Sequence, residues 1–158
     1  MEIKHNFNLT PLLTLKTAVV AENFCEVTTR EEIIDLFRKK NNYPQPYFFL
    51  GGGSNLAVLS AHLSGLVIKN NYREKKIVSE DGKKVILQVS SGYPVSLLAK
   101  EMNTAGYGGL EYQFGLPGTV GGALYGNAKW LHPLAYLSDH LVKAVLVDQS
   151  GEVKEVEK

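Results

Sequence analysis

Residues 115–123 of the chain are Gly115-Leu116-Pro117-Gly118-Thr119-Val120-Gly121-Gly122-Ala123. Pro117 restricts its own φ angle, whereas the glycines around it can adopt φ angles that other residues avoid. The stretch is therefore predicted to form a stiff loop with bare backbone on its surface. Thr119 is a suitable N-cap for a short helical turn, which would direct a helix N-terminus toward the loop.

A second glycine-rich stretch, Gly51-Gly52-Gly53-Ser54-Asn55-Leu56, follows the apolar run Tyr47–Leu50. Three consecutive glycines permit positive φ angles and remove every Cβ that would hold a ligand away. Successive backbone N–H groups in such a turn can converge on an anion, and Ser54 and Asn55 add side-chain donors. Taken alone, this pattern fits a glycine-rich connection without function equally well. Two such segments in one chain favour a ligand with linked phosphates, such as a dinucleotide.

The spacing of these glycines differs from the common nucleotide-binding motifs. Gly115, Gly118 and Gly121 lack the spacing and the downstream acidic residue of the Rossmann fingerprint. Neither glycine segment ends in the Gly-Lys-Ser/Thr of a P-loop.

The remaining sequence mixes helical and extended segments without a regular βαβ repeat, which favours an α+β fold. Residues 1–15 indicate an arm that leads into the domain. One predicted helix begins at Thr29, where Glu32 completes a capping box, and another runs from Pro94 to a C-cap near Gly106. The predicted strands are Ala18–Val27, Tyr47–Leu50 as a buried strand, Leu66–Ile68, Lys76–Val78 and Val85–Val89 as a hairpin around Asp81-Gly82, and Val142–Val147 returning through Gly151 toward Val153.

Composition limits the classes of function. The 158 residues are long enough for one large domain or two small lobes, and the 44% hydrophobic fraction suffices for a core. The net charge of +1 gives no reason to expect nucleic acid or an anionic membrane as a partner. The single cysteine, Cys25, cannot form an internal disulfide, and no apolar run approaches the roughly 20 residues that span a bilayer. We therefore expect a cytoplasmic protein, and its four scattered histidines predict no metal site.

Both glycine segments, together with Gly109-Leu110-Glu111-Tyr112 and Asn127-Ala128, resemble the motifs of bacterial UDP-N-acetylenolpyruvoylglucosamine reductase in their order and spacing. This family is also called UDP-N-acetylmuramate dehydrogenase. The resemblance extends from about Lys16 to the C-terminus. The run from Gly115 to Ala123 is its most specific part.

The resemblance implies a flavin-binding fold of the vanillyl-alcohol-oxidase (PCMH) type. The flavin would lie between two small α+β lobes, residues 16–70 and 71–158, preceded by the arm 1–15. The FAD pyrophosphate would lie among Gly51, Gly52, Gly53, Ser54, Asn55 and Leu56. The flavin would be lined from the other lobe by Gly115, Pro117, Gly118, Thr119, Gly121, Gly122 and Ala123. Asn127 matches the asparagine that follows this loop in the family.

The family transfers hydride from NADPH to FAD and then to the enolpyruvyl double bond of a UDP-sugar, which yields UDP-N-acetylmuramate for peptidoglycan. This sequence departs from the family at Lys129-Trp130-Leu131-His132-Pro133, which replaces a small, glycine-containing stretch. It also lacks the separate substrate domain with its serine proton donor and glutamate, so no catalytic residue is predicted here and the chain is expected to be inactive alone. Two alternatives stay open: a flavin domain of another oxidoreductase, and a non-catalytic nucleotide-binding module.

Several other residues receive less specific interpretations. Cys25 is expected to be a core thiol rather than a nucleophile. Glu111 is expected to order the second glycine segment by accepting backbone hydrogen bonds, and His132 to lie on the surface. Packing in a core or wall is favoured, over stacking on the flavin, for the aromatic residues near that segment: Tyr107, Tyr112, Phe114 and Tyr125.

Overall fold

A computed structural model describes residues 1–132 and 134–158 and divides into two compact units. The first unit comprises Met1–Asn71 and Val142–Lys158, and the second comprises Tyr72–Leu141. The break near residue 71 lies close to the expected lobe boundary. The C-terminal segment, however, groups with the first unit and not with residues 72–141.

The first unit is built on a four-stranded sheet in the order β1-β2-β4-β3. Its strands are β1 (Lys4–Asn8), β2 (Val20–Val27), β3 (Tyr47–Leu50) and β4 (His62–Asn70). β1 pairs with β2 in antiparallel fashion, whereas β2 and β3 both pair with β4 in parallel. The central strands β2 and β4 carry most of the core, since only they have neighbours on both sides.

Side chains of β2 pack on both faces of this sheet. Phe24 packs with Leu9, Leu50 and Val67 on one face. On the other face a second cluster contains Cys25, Val27, Leu36, Leu66 and Ile68. Leu36 comes from helix α1 (Arg30–Arg38), whose predicted cap is confirmed because Thr29 Oγ accepts the Glu32 N–H at 3.1 Å.

The N-terminal residues are not a separate arm. β1 pairs with β2, the Phe7 and Phe24 rings stack with centroids 3.9 Å apart, and Leu9 and Leu13 are buried. A 3₁₀ turn at Thr10–Leu12 lies between these two buried leucines. The sequence of β1 is mostly polar because it is an edge strand with exposed side chains, and this hid it from pattern analysis.

Tyr47–Leu50 is a strand, but only Leu50 is buried. β3 lies at the edge of the sheet, where Phe48 and Phe49 are 40% and 51% exposed. The prediction of a buried strand was therefore wrong for three of its four residues.

The C-terminal hairpin consists of β9 (Lys143–Val147) and β10 (Val153–Glu157), as the alternating pattern and the glycine turn predicted. Gly151 at the turn is buried against α1, and a Cβ there would lie 2.4 Å from Arg38 Cγ and 3.1 Å from the Ile34 carbonyl oxygen. This close approach explains why the hairpin belongs to the first unit.

The second unit contains the predicted hairpin of β5 (Lys75–Glu80) and β6 (Val85–Val89), helix α2 (Val95–Thr104) and the short helix α3 (Val120–Tyr125). Its core is formed by Tyr93, Leu98 and Met102. A further hairpin, β7 (Lys129–Leu131) with β8 (Leu134–Tyr136), was not predicted. It contains the bulky segment that departs from the family, of which Pro133 lies outside the described residues. The mixed helices and strands confirm the α+β class.

Candidate functional site

The first glycine segment is tied to the 3₁₀ turn near the N-terminus. Gly53 is buried with φ +68°, and a Cβ there would lie 2.1 Å from the Leu12 carbonyl oxygen. The Gly53 carbonyl accepts the Thr14 N–H at 3.0 Å. Gly53 is therefore required by the local structure, whereas Gly52 beside it is exposed.

Lys69 of β4 also contacts the first glycine segment. Lys69 lies opposite Leu50 in the parallel β3–β4 pairing, and its ammonium group donates a hydrogen bond to the Gly51 carbonyl oxygen. The Lys69 side chain is half-buried. Sequence analysis did not identify this lysine, because the contact joins residues eighteen positions apart.

An apolar groove of about 590 Å³ adjoins the first glycine segment. Leu50, which precedes the glycines, and Leu56, which follows Asn55, both line this groove. Its other walls include Phe48, Val58 and Leu59. The residues on either side of the glycine segment thus belong to a groove with apolar walls, as in many small-molecule sites.

The second glycine segment forms the capped helix that the sequence predicted. Thr119 is buried, and its Oγ1 accepts the Gly122 N–H at 3.3 Å. The Val120 N–H donates to the Tyr93 carbonyl and the Gly121 N–H donates to the Ser91 carbonyl, each at 2.8 Å. These bonds occupy the first N–H groups of α3, so the helix N-terminus is closed by the protein's own acceptors and does not offer the expected open anion site.

Close packing explains the glycine at position 121. A Cβ on Gly121 would lie 2.7 Å from Ser91 Cβ and 3.0 Å from the Ser91 carbonyl oxygen. Gly115 and Gly118 instead have positive φ angles, +82° and +120°. Their backbone is also anchored, since the Gly115 N–H donates to Ser96 Oγ at 3.1 Å and the Gly118 carbonyl accepts the Val95 N–H at 3.1 Å.

The candidate residues fall into the two units. Gly51–Leu56 belongs to the first unit, and residues 115–127 belong to the second. Asn55, Leu56 and Pro117 are exposed, as is Asn127, which has φ +42°. Binding of one ligand by both segments stays a prediction.

A polar network in the second unit was not predicted. Glu101 of α2 accepts a hydrogen bond from Lys75 of β5 and another, at 2.6 Å, from the Tyr93 hydroxyl. The hydrogen bonds from Lys75 and Tyr93 hold the pKa of Glu101 below its usual range. Burial lowers the pKa of Lys75, but the hydrogen bond to Glu101, together with the interactions of Lys75 with Tyr93 and with the Glu101 charge, outweighs this effect and leaves the pKa raised. Because the Tyr93 carbonyl binds the Val120 N–H, the network also supports the second glycine segment.

The other singled-out residues have structural positions. Glu111 accepts the Gly109 N–H at 2.7 Å, so its side chain does accept a backbone hydrogen bond, but from the turn just before it and not from the second glycine segment. Tyr112, Phe114 and Tyr125 are exposed, so packing in a core is wrong for these three. Tyr107 does pack against the core of the second unit.

His132 is exposed, as predicted. Cys25 is buried, and burial raises its thiol pKa to about 11, which confirms a core thiol. Residues 1–132 and 134–158 contain no group of three or more His, Cys, Asp or Glu side chains that could hold a metal ion. Over the same residues, no helix has both the length and the apolar composition needed to cross a membrane.

Comparison with known proteins places these features in a family. Residues 21–157 match the family model described as FAD binding domain. This match covers both glycine segments and most of both units.

Curated relatives carry the name UDP-N-acetylenolpyruvoylglucosamine reductase. The protein of Chlamydia trachomatis serovar L2 is 32% identical over 149 residues, which are 94% of this chain and 49% of the relative. The Synechococcus protein is 33% identical over 150 residues, 95% of this chain and 46% of the relative. The chain thus spans about half the length of the curated relatives it matches.

Solved structures agree with this assignment. The crystal structure of the reductase of the same name from Thermus caldophilus matches with a TM-score of 0.72 and 30% identity, over 99% of this chain and 52% of the other. A solvent-stable cholesterol oxidase shares the fold, with a TM-score of 0.59 and 18% identity over 89% of this chain and 30% of that protein. The PCMH-type flavin-binding fold and the resemblance to the reductase are both confirmed. The chain belongs to the FAD-binding domain family and corresponds to about half of a UDP-N-acetylenolpyruvoylglucosamine reductase.

Proposed function

We propose that this chain holds FAD through both glycine segments. It would thereby form the flavin-binding portion of an NADPH-dependent reductase that converts UDP-N-acetylglucosamine-enolpyruvate to UDP-N-acetylmuramate in the cytoplasm. The observation that carries the proposal is the family match over residues 21–157, which includes Gly51–Leu56 and Gly115–Ala123.

The first glycine segment fits a phosphate-containing ligand. Gly52 is exposed and has no side chain, so a ligand can approach its backbone closely. The adjoining groove between Leu50 and Leu56 has apolar walls suited to a flat ring system. Gly51, Gly53, Ser54, Asn55 and Leu56 would complete this part of the site.

The second glycine segment fits a role in shaping a surface against the flavin. Its anchored backbone is rigid, and the exposed Pro117 and the half-buried Gly118 present it to a ligand. Gly115, Thr119, Gly121, Gly122 and Ala123 would hold that surface in position, with Asn127 beside it.

When bound, FAD supplies hydride-transfer chemistry. The residues of this chain would bind and orient it, and none of the described side chains is proposed as a proton donor. Because the chain spans about half of its relatives, the reaction, NADPH and the UDP-sugar are proposed for the full-length protein. We propose neither nucleic acid nor membrane as a partner.

The test is calorimetric titration of FAD into flavin-free protein, with FMN as the comparison ligand. FAD contains the pyrophosphate that FMN lacks, so engagement of the first glycine segment predicts tighter binding of FAD. Gly52→Val should abolish this preference, because its side chain would block approach to the backbone. Ser79→Val, on the exposed face of β5, is the matched control and should bind like the parent.

Equal binding of FAD by the Gly52→Val variant would show that the segment is misassigned. A folded parent protein that binds no flavin would instead favour a non-catalytic module.

A further inference from the structure

The carbonyl groups of the first glycine segment are held by the protein itself. Lys69 donates to the Gly51 carbonyl, and the Thr14 N–H donates to the Gly53 carbonyl. The peptides that follow Gly51 and Gly53 are trans. In a planar trans peptide, the carbonyl and the N–H of the next residue point in opposite directions.

This geometry fixes where the N–H groups of the segment point. Because the Gly51 carbonyl faces the Lys69 ammonium group, the N–H of Gly52 points away from that group, and Gly52 is exposed to solvent. By the same rule, the N–H of Ser54 points away from Thr14. Gly53, which lies between these two peptides, has φ +68°, and the left-handed conformation is one half of the αR–αL backbone that forms an anion-binding nest.

The two anchors differ in chemistry. Thr14 contributes a backbone N–H that no substitution short of proline removes, whereas Lys69 contributes a side chain that also carries a positive charge. Lys69 lies on the same face of β4 as Val67, which lines the apolar groove, since side chains two residues apart share a face. Lys69 also pairs with Leu50, so it adjoins two of the residues that line the groove.

We infer that Lys69 is a positioning residue for phosphate binding by the first glycine segment. It turns the Gly51–Gly52 peptide so that the Gly52 N–H faces the ligand, and it adds a cation behind that peptide. The anion is a phosphate or pyrophosphate group of a nucleotide. This inference rests on the proposed function, since the nucleotide meant is FAD.

The test compares FAD affinity among Lys69→Met, Lys69→Arg and Lys39→Met. Lys69→Met keeps the length of the side chain but removes the hydrogen bond and the charge, and should weaken FAD binding at least about tenfold. Lys69→Arg keeps both features and should stay within about threefold of the parent. Lys39→Met removes an exposed lysine of the same unit, whose ammonium group pairs with Asp35, and should bind like the parent.

Salt dependence separates this role from simple support of the fold. A cation near the phosphates makes binding weaken as ionic strength rises, because mobile ions screen the attraction. The affinity of Lys69→Met should therefore fall less with added salt than that of the parent. A loss of stability alone would not change this dependence.

Each outcome bears on the inference separately from the proposed function. The role of Lys69 would be overturned if Lys69→Met bound FAD like the parent, or if Lys69→Met and Lys69→Arg lost equal affinity. It would also be overturned if the FAD affinity of Lys69→Met depended on salt as steeply as that of the parent. Failure of the folded parent to bind FAD would overturn the proposed function before any variant is compared.

Discussion

Gly53 shows how strongly one residue can be constrained. Its φ of +68° is unfavourable for any residue with a side chain, and the backbone oxygen of Leu12 lies 2.1 Å from where a Cβ would stand. We predict that Gly53→Ala lowers the free energy of unfolding by about 2–4 kcal/mol, from backbone strain and steric overlap together. Denaturant unfolding measures this directly.

Gly82 provides the matched control for Gly53. It has a similar φ of +80°, but no atom lies within 4 Å of an added Cβ. Gly82→Ala should therefore cost only the backbone strain, about 1 kcal/mol. Equal losses of unfolding free energy in the two variants would mean that the steric overlap with Leu12 does not destabilise Gly53→Ala.

At the scale of elements, Glu101 joins β5, α2 and the loop before α2 through Lys75 and Tyr93. The hydrogen bonds lower the pKa of Glu101 in the folded state. A lowered pKa contributes stability above the ordinary pKa of the group, and this contribution is lost as pH falls through the folded value. The affected window lies below about pH 4.5.

Glu101→Gln should accordingly destabilise the second unit at neutral pH, and its difference from the parent should shrink on acidification through that window. The measurement is the denaturation midpoint reported by Trp130 fluorescence at a series of pH values. Glu157→Gln, on exposed β10 of the first unit, should leave the Trp130 profile unchanged. A difference between Glu101→Gln and the parent that stays constant across pH would contradict the assigned pKa direction.

At the scale of the whole molecule, each unit carries its own probe. The single cysteine, Cys25, is buried in the first unit, and the single tryptophan, Trp130, lies in the second. Cys25 should react with a disulfide reagent only when its unit opens, because burial keeps the thiol protonated and inaccessible. The two units can thus be followed separately in one unfolding experiment.

FAD bound by both glycine segments should stabilise both units against unfolding, and both probes should report this. Ligand binding to the native state adds about 2.7 kcal/mol at a concentration one hundred times the dissociation constant. We therefore expect FAD to slow Cys25 labelling and to raise the Trp130 midpoint together. A shift in one probe alone would limit binding to the unit that carries it.

The features that sequence analysis predicted correctly depend on neighbouring residues. Thr29 and Thr119 cap helices through bonds three residues away, Gly106 ends α2, and the Asp81-Gly82 turn closes β5 and β6. The glycine segments also identified the family, because a bare backbone at fixed spacing is visible in the sequence itself.

The remaining features depend on partners that are distant in the sequence. β1 is polar and acquires its strand from pairing with β2, while β3 lies at an edge because nothing pairs beyond it within the described residues. The carbonyls of Ser91 and Tyr93 close the N-terminus of α3, and Lys69 of β4 reaches Gly51 just beyond the end of the neighbouring strand β3. Hydrogen bonds of this kind leave no local periodicity, so they become apparent only when folding has brought their donors and acceptors together.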